Sequence, residues 1–514
     1  MAPPRRSRGL TLLVAVLALA AAFAAVAIVS VLTPSASRDA ASDRALAQAR
    51  EALVAYAADR NITAWVGPGY LPCPDLDDDG WAEPTCGSQS GESGQEQRLG
   101  RLPWKTLGLA DLRDGYGERL WYAVSSKHKG LLNCAQSRAC LDMTPDSALG
   151  TITVRDISGT LVHDGTSTDL YAVDRTGAAA VIIAPGPPLK RLGAATEQRR
   201  GCTSKCDPAD FLDKAPEGAR AGEDNADFID RNDAAGRARN ANGFIQGPVF
   251  AADGRVLVND RLSVIAYRDL MPRVMRRIAL EVAQCLRFYA SRPENGGRYP
   301  RPAPACRQAT PDPALQWADG RDALFGRVPD TPFATTREES GGQMLERWWR
   351  EAARSPENLA ELPTRDTACR IAFEPADEGA ARRSAPGNPG EEGRTAGLAE
   401  NAWWTSWKPF VFYALAPDFA PGGTASAPGR QFAVIVSGAP LRLPGTAQRH
   451  GAFPGDVRHW LEDVHAELEG ANPNPAAPEC QWDALRVACD PGACLRITVA
   501  PARADFNDVV AASP

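Results

Sequence analysis

The residues best placed to do chemistry form one acidic run, Asp75-Leu76-Asp77-Asp78-Asp79-Gly80-Trp81-Ala82-Glu83. Aspartates at alternate positions followed by glycine reproduce the opening of a calcium loop, D-x-D-x-D-G. Calcium is a hard cation that takes about six to eight oxygens, and alternate side chains of a tight turn converge on one point. The candidate ligands are Asp75, Asp77, Asp79 and Glu83. The twelfth loop position, where a bidentate Glu is expected, is Cys86, so Glu83 has to substitute or a Cys73–Cys86 bridge has to shape the loop. An acidic surface turn is the other reading of the same residues. These oxygen ligands do not suit soft metals, so calcium is the one cofactor the sequence suggests.

Other chemistry is sparse. A second acidic run, Glu223 to Asp233, has no metal-loop spacing and reads as solvated surface. The five histidines are His128, His163, His450, His459 and His465. His459-x-x-Glu462-x-x-His465 is not a zincin motif, because six helical residues turn the second ring about 240° from the first. It reads as an exposed amphipathic helix. There is no G-x-S-x-G nucleophile elbow. Trp403, Trp404 and Trp407 precede an apolar strand and read as core packing. The expectation is a protein that is not an enzyme.

Twelve cysteines, Cys73, Cys86, Cys134, Cys140, Cys202, Cys206, Cys285, Cys306, Cys369, Cys480, Cys489 and Cys494, indicate disulfides and an oxidising compartment. Zinc is the rival, but the short gaps, 134–140, 202–206 and 489–494, are not two-residue gaps, and the last two have no histidine close by. The simplest pairing is 73–86, 134–140, 202–206, 285–306 and 489–494, with a long 369–480 bridge. Fifty-seven Lys+Arg against 63 Asp+Glu give a net charge of −6, which argues against a generally basic nucleic-acid binder. Hydrophobic content of 44% is enough for sizeable cores.

The elements that must position these residues begin with an N-terminal apolar run. Arg5, Arg6 and Arg8 precede Leu10 to Leu32, which as a helix is about 35 Å long and sufficient to cross a bilayer. The arginines stay on the cytoplasmic side. Pro34-Ser35-Ala36-Ser37 could serve as a signal-peptidase site, and an uncleaved signal anchor gives the same hydropathy. Residues 37–60 contain neither Gly nor Pro and carry Leu46, Ala49, Leu53, Tyr56 and Ala57 at helical spacing.

A basic leader ending in Gly9, then Leu10-Thr11-Leu12-Leu13, then an apolar helix continuing into an amphipathic one resembles the type IV pilins and the pseudopilins of type II secretion. The resemblance covers about the first 60 residues. It implies cleavage between Gly9 and Leu10 by a prepilin peptidase, methylation of the new N-terminus, and assembly with other pilin or pseudopilin subunits. The glutamate usual at the fifth mature position is Val14 here, which resembles the minor, tip-type subunits.

An internal repeat follows. Leu53-Val54-Ala55-Tyr56-Ala57, Gly69-Tyr70-Leu71-Pro72, Gly100-Arg101-Leu102-Pro103, Leu120-Trp121-Tyr122-Ala123-Val124 and Ala180-Val181-Ile182-Ile183-Ala184 form the first copy. Leu286-Arg287-Phe288-Tyr289-Ala290, Gly297-Arg298-Tyr299-Pro300, Gly326-Arg327-Val328-Pro329, Val411-Phe412-Tyr413-Ala414-Leu415 and Ala433-Val434-Ile435-Val436 recur in the same order. Ile182 aligns with Ile435. Each copy predicts a helix, a Pro-rich loop and short strands, among them 151–157, 169–174, 179–184, 410–415, 432–437 and 495–500. The second helix is predicted over 273–291.

The fold expected is α+β, an N-terminal transmembrane helix continuing into an amphipathic helix packed on antiparallel sheet, with the module duplicated. The divisions are a leader at 1–9, the transmembrane helix at 10–36, a first module at 37–270, and a second at 271–514 with an insertion at 331–409. The function expected is a structural minor pilin or pseudopilin subunit. It would be held in a bacterial inner membrane by one span, with a periplasmic bulk and no nucleic-acid partner. A membrane-anchored or secreted periplasmic hydrolase or binding protein is the alternative.

Overall fold

The computed structural model describes residues 36–59, 67–87, 95–129, 143–202, 205–215, 224–227, 243–291, 299, 302, 325–328, 402–415, 432–443, 446–450, 457–462 and 507–512. Helix α1 spans residues 36–59. Leu46, Ala49, Leu53, Val54 and Ala57 are buried on it, as the sequence spacing requires. Four antiparallel strands follow: β1 (Leu99–Arg101), β2 (Trp121–Val124), β3 (Ala180–Ala184) and β4 (Arg261–Ile265), paired in the order β1-β2-β3-β4. Their alternation sorts side chains onto two faces. Tyr122, Val124, Ile182 and Ile265 join the core shared with the helices. Trp121, Ala123, Val181 and Ile183 face a second cluster with Leu99, Phe211 and Phe244.

Helix α2 (Tyr267–Ser291) leaves β4 almost directly. It begins six residues before the expected Arg273, with Pro272 inside it. The extra turn is held by the Asp269 carboxylate, which accepts the Ala266 N–H at 2.9 Å, the acidic half of a capping box. A second antiparallel sheet comprises β5 (Phe325–Arg327), β6 (Val411–Leu415), β7 (Phe432–Val436) and β8 (Val509–Ala512), in the order β5-β6-β7-β8. One continuous core takes in α1, α2 and buried residues of both sheets.

The registers of the two sheets correspond. Leu99, Gly100 and Arg101 face Ala123, Tyr122 and Trp121, while Phe325, Gly326 and Arg327 face Ala414, Tyr413 and Phe412. Tyr122 faces Ile182 and Tyr413 faces Val434. The structural counterpart of Ile435 is therefore Ile183, and the sequence pairing with Ile182 is one residue out. A one-residue slip exchanges the two faces of a strand, so only the pairing identifies the true equivalents.

Several expectations are corrected. Among the described residues no helix is long and apolar enough to cross a membrane. The expected span at 10–36 lies outside the described residues except for residue 36, and Gly9 and Leu10 lie outside them too. Helix α1 is the amphipathic helix packed against the core that the residue spacing predicts. It carries Arg38, Asp39, Asp43, Arg44, Arg50, Glu51 and Asp59, and its apolar stripe is covered by the protein's own core. Among the described residues the fold is α+β with antiparallel sheets and contains no membrane-spanning helix, so the expected transmembrane element and single-pass inner-membrane placement find no support there. Residues 169–174 form not a strand but a short 3-10 helix, Leu170–Arg175, nucleated by the Asp169 side chain accepting the Tyr171 N–H. Within 151–157 only Val154–Arg155 is strand. The expected strand at 495–500 and most of the insertion lie outside the described residues. Trp404 and Trp407 are buried in the core.

Candidate metal centre

The acidic run lies between α1 and β1. Its first residue is pinned to the sheet, since Asp75 and Arg101 exchange backbone hydrogen bonds at 3.0 and 2.7 Å. Behind it, the Tyr122 hydroxyl donates to Pro72 O at 3.0 Å. The chain then winds round the Asp75 carboxylate. Gly80 N–H donates to Asp75 Oδ2 at 2.7 Å, and Asp79 N–H donates to Asp75 Oδ1 at 3.2 Å. Gly80 has φ +90°, and a Cβ there would lie 2.7 Å from the Trp104 ring, so no other residue fits the turn. Glu83 is folded back by its N–H to Pro74 O and by Leu76 N–H donating to its Oε1 at 3.3 Å.

As a result Asp75, Asp77 and Glu83 each offer a carboxylate oxygen within 4.8 Å of the others. A carboxylate has about four lone-pair sites, so the backbone donors do not exhaust Asp75. The three carboxylates could coordinate a divalent cation, and an all-oxygen set suits a hard one. Asp79 is not part of this group, as its Oδ1 accepts the Trp81 N–H at 2.7 Å. Asp78 points away, to Arg119 at 2.8 Å. Burial pushes the Asp75 carboxyl up to about 6, against the pull of the Gly80 N–H and with the push of Asp79 and Asp78. A bound cation would favour its ionised form.

The Cys73–Cys86 disulfide closes the loop. Cys202 and Cys206 also form a disulfide, which removes both thiols from the neighbouring Asp78–Cys202–Cys206 group as metal ligands. Cys285 is disulfide-bonded, and its partner lies outside the described residues. The same is true of the positions of Cys134, Cys140, Cys306, Cys369, Cys480, Cys489 and Cys494. Among the described residues no cysteine is free.

A second cluster escaped the sequence reading, and it occurs in both halves. In the first, Leu189 N–H donates to Gln198 Oε1 at 3.0 Å, and Gln198 Nε2 donates to Leu212 O at 3.2 Å. In the second, Leu441 N–H donates to Gln448 Oε1 at 2.8 Å, and Gln448 Nε2 donates to Leu461 O at 3.0 Å. Phe211-Leu212-Asp213 thus corresponds to Trp460-Leu461-Glu462. Each acid accepts the N–H of an asparagine that leads into the last strand. Asp213 Oδ2 receives Asn259 N–H at 2.7 Å, and Glu462 Oε1 receives Asn507 N–H at 3.0 Å. Each next residue returns the bond, Asp260 Oδ2 accepting Asp213 N–H at 2.8 Å and Asp508 Oδ2 accepting Glu462 N–H at 3.4 Å. Asn259 Nδ2 donates to Pro187 O and Asn507 Nδ2 to Ala439 O, both at 2.8 Å.

An arginine is sandwiched beside each cluster. The Arg101 guanidinium lies 4.4 Å from the Trp121 ring and 4.1 Å from Phe211, while Arg327 lies 3.7 Å from Phe412 and 4.9 Å from Trp460. The sequence signals were short: Pro-Leu followed by Gln-Arg-x-Gly at 188–201 and 440–451, and Asn-Asp at 259–260 and 507–508. Two expectations change. Asp224 and Asn225 are buried rather than solvated, Asn225 Nδ2 donating to Asp260 Oδ2 at 2.9 Å. Glu462 lies in the clustered core and not on an exposed helix, and His459 Nδ1 accepts the Arg449 N–H. His465 lies outside the described residues.

A cavity of about 300 Å³ lined by Lys127, Thr151, Thr166, Ser167 and Thr168 does not include the acidic loop or either acid pair. No protein-family model matches the chain, and no curated protein or solved structure matches it. The pilin or pseudopilin resemblance of the first residues therefore finds no support along the chain. With no apolar spanning helix among the described residues, the reading as a membrane-held pilus or secretion subunit is withdrawn.

Proposed function

We propose that the chain is a disulfide-bonded binding protein of an extracytoplasmic compartment, without catalysis of its own, whose first half holds a calcium ion in the 75–83 loop. The observation that carries this is the convergence of the Asp75, Asp77 and Glu83 carboxylates round a turn built on Gly80. Calcium suits such a loop better than magnesium, which needs tight octahedral geometry and gives up its waters reluctantly. The Cys73–Cys86 bridge anchors the loop's far end, where a calcium loop of this spacing would otherwise supply its bidentate glutamate. The disulfides support an oxidising compartment. A hydrolytic use of the paired acids is disfavoured, because Asp213, Asp260, Glu462 and Asp508 are all buried away from any substrate.

The test is the melting temperature of the full chain during calcium and magnesium titrations. Ligand that binds only the folded state adds about 2.7 kcal/mol at one hundred times Kd. Wild type should gain stability in millimolar-range calcium, more than in equal magnesium, and Asp77→Ala should lose the gain. Equal responses of wild type and variant would make the run a solvated acidic turn.

A further inference from the structure

The buried acid pairs are not used by the calcium loop, and both halves retain them. Asp213 and Asp260 are 0% exposed, and Glu462 and Asp508 are 3% and 2% exposed. Within each pair the backbone N–H of the first acid donates to the carboxyl of the second. This crossed bonding draws two carboxyl groups into one dry site. Two neighbouring carboxylates cannot both ionise there without a large repulsion, so one proton must stay.

Among the described residues, side-chain amides rather than cations donate to the first pair. Facing the first pair are Gln198 Nε2, at 3.1 Å from Asp213 Oδ1, and Asn225 Nδ2; Arg200 acts on both acids from a distance and is itself bound to Pro185 O and Gln198 Oε1. Glu118 and Asp114 also act on Arg200. Arg191 and Lys214 are drawn to Asp224. Beside the second pair, Arg327 and His450 lie over the Trp460 ring, and His450 pairs with Asp146 at 2.9 Å.

We propose that each half is fastened by a proton retained within its buried, cross-bonded acid pair, a clasp that joins the aromatic-Leu-acid segment to the Asn-Asp lead-in of the last strand and loosens as alkaline conditions remove the proton. The clasp joins residues 47 and 46 apart in sequence, so its loss frees β4 or β8 from the segment that covers it. In the first half β4 continues into α2, so the same event loosens the start of the second half's spine.

The direction follows from proton affinity. Burial pushes Asp213 up to about 6, and burial with the neighbouring Asp213 charge pushes Asp260 well above the carboxylate range. Burial likewise raises Asp508 to about 7, and burial with the adjacent Asp508 raises Glu462 to about 10. The folded chain therefore holds protons that the unfolded chain has released. The contribution is complete below about pH 4 and declines as pH rises through about 6 to 7. In the second half it continues to decline towards about 10.

The experiment is the melting temperature of the full chain from about pH 5 to about pH 10, for wild type and for the double variant Asp260→Asn with Glu462→Gln. The amides keep the shape and cannot lose the proton. Wild type should lose melting temperature towards alkaline pH, and the double variant should lose clearly less. An equally steep fall in both would overturn the clasp. Infrared spectra of the wild type give an answer even if the variant does not fold. A protonated-carboxyl C=O stretch from a solvent-shielded group should persist above neutral pH, and its absence there would overturn the proposal.

Discussion

The two halves of the chain share a scaffold and differ in one loop. Both have a helix, a four-stranded sheet of the same order, an arginine between two rings, a glutamine bridging two segments and a buried acid pair. Between helix and first strand they diverge. The first half has Pro72-Cys73-Pro74-Asp75 and the acidic turn, whereas the second has Pro300-Arg301-Pro302-Ala303 with no acid before Asp312. A buried polar group cannot lose its partner without an unsatisfied atom costing about 1–3 kcal/mol, so such clusters persist through a duplication. Asp77 and Asp79, exposed on the turn, carry no such penalty, so the turn can gain or lose ligands there while Asp75 stays buried. The difference separates what holds the fold from what gives one half its own chemistry.

The largest effects should come from testing whether the halves unfold together. Ile182 and Ile435 are fully buried, one in each sheet, and both belong to the continuous core. Ile182→Ala and Ile435→Ala should each cost about 2–5 kcal/mol. Because the core is shared, both should lower the midpoint of the same calorimetric transition. Two transitions, each sensitive to one variant only, would show that the halves are independent units.

The acidic loop should then set the halves apart. Calcium requires Asp75 ionised, and burial has raised that carboxyl to about 6. Below that pH calcium must displace a proton, so the apparent Kd should weaken by about tenfold per pH unit. Calorimetric titration near pH 7.5 and near pH 5 measures the change. A pH-independent Kd would move the site away from Asp75.

How much of this was legible in the sequence depends on the kind of signal. Local signals worked: the helical stripe of α1, the β-rich runs of β2, β3, β6 and β7, and the bridges 73–86 and 202–206 were all readable from short windows. So was the turn at Gly80, and with it the three carboxylates, Asp75, Asp77 and Glu83, that could coordinate a divalent cation. The acid pairs were not readable. Asp213 and Asn259 touch across 46 residues, and an isolated Asn-Asp looks like any turn. Aspartates in a polar run were assigned to water because charge favours exposure, and Asp224 and Asn225 escape that rule only through partners distant in sequence. The apolar N-terminus misled in the other direction, since hydropathy there implied a family that nothing else in the chain supports.

A smaller effect tests the glutamine bridges. Gln198→Ala and Gln448→Ala each remove a buried amide that both accepts and donates, and each should cost about 1–3 kcal/mol in denaturant melts. Similar costs would mean that the bridge is equally structural in both halves. A marked loss in one half alone would break the correspondence drawn from geometry.

The smallest effect concerns a position where the halves differ without consequence. Arg261 opens β4, and its counterpart opening β8 is Val509. Arg261 Nε and Nη2 donate to the two oxygens of Asp43 at 3.1 Å, and Nη1 lies 3.3 Å from Asp39, tying the strand to α1. The geometry is bidentate, but the side chains are 31%, 58% and 45% exposed. Exposed pairs gain little Coulomb energy in water and lose side-chain entropy, so they contribute about 0–1 kcal/mol. Valine suits a strand and would recover part of that through packing, as Val509 does against the core. Arg261→Val should therefore change stability by less than about 1 kcal/mol. Any deficit should shrink as salt rises from about 0.1 M to about 1 M, where the screening length falls from about 10 Å to about 3 Å. A loss above about 2 kcal/mol that salt leaves untouched would mean that Arg261 anchors α1 to the first sheet, a fastening with no counterpart at Val509.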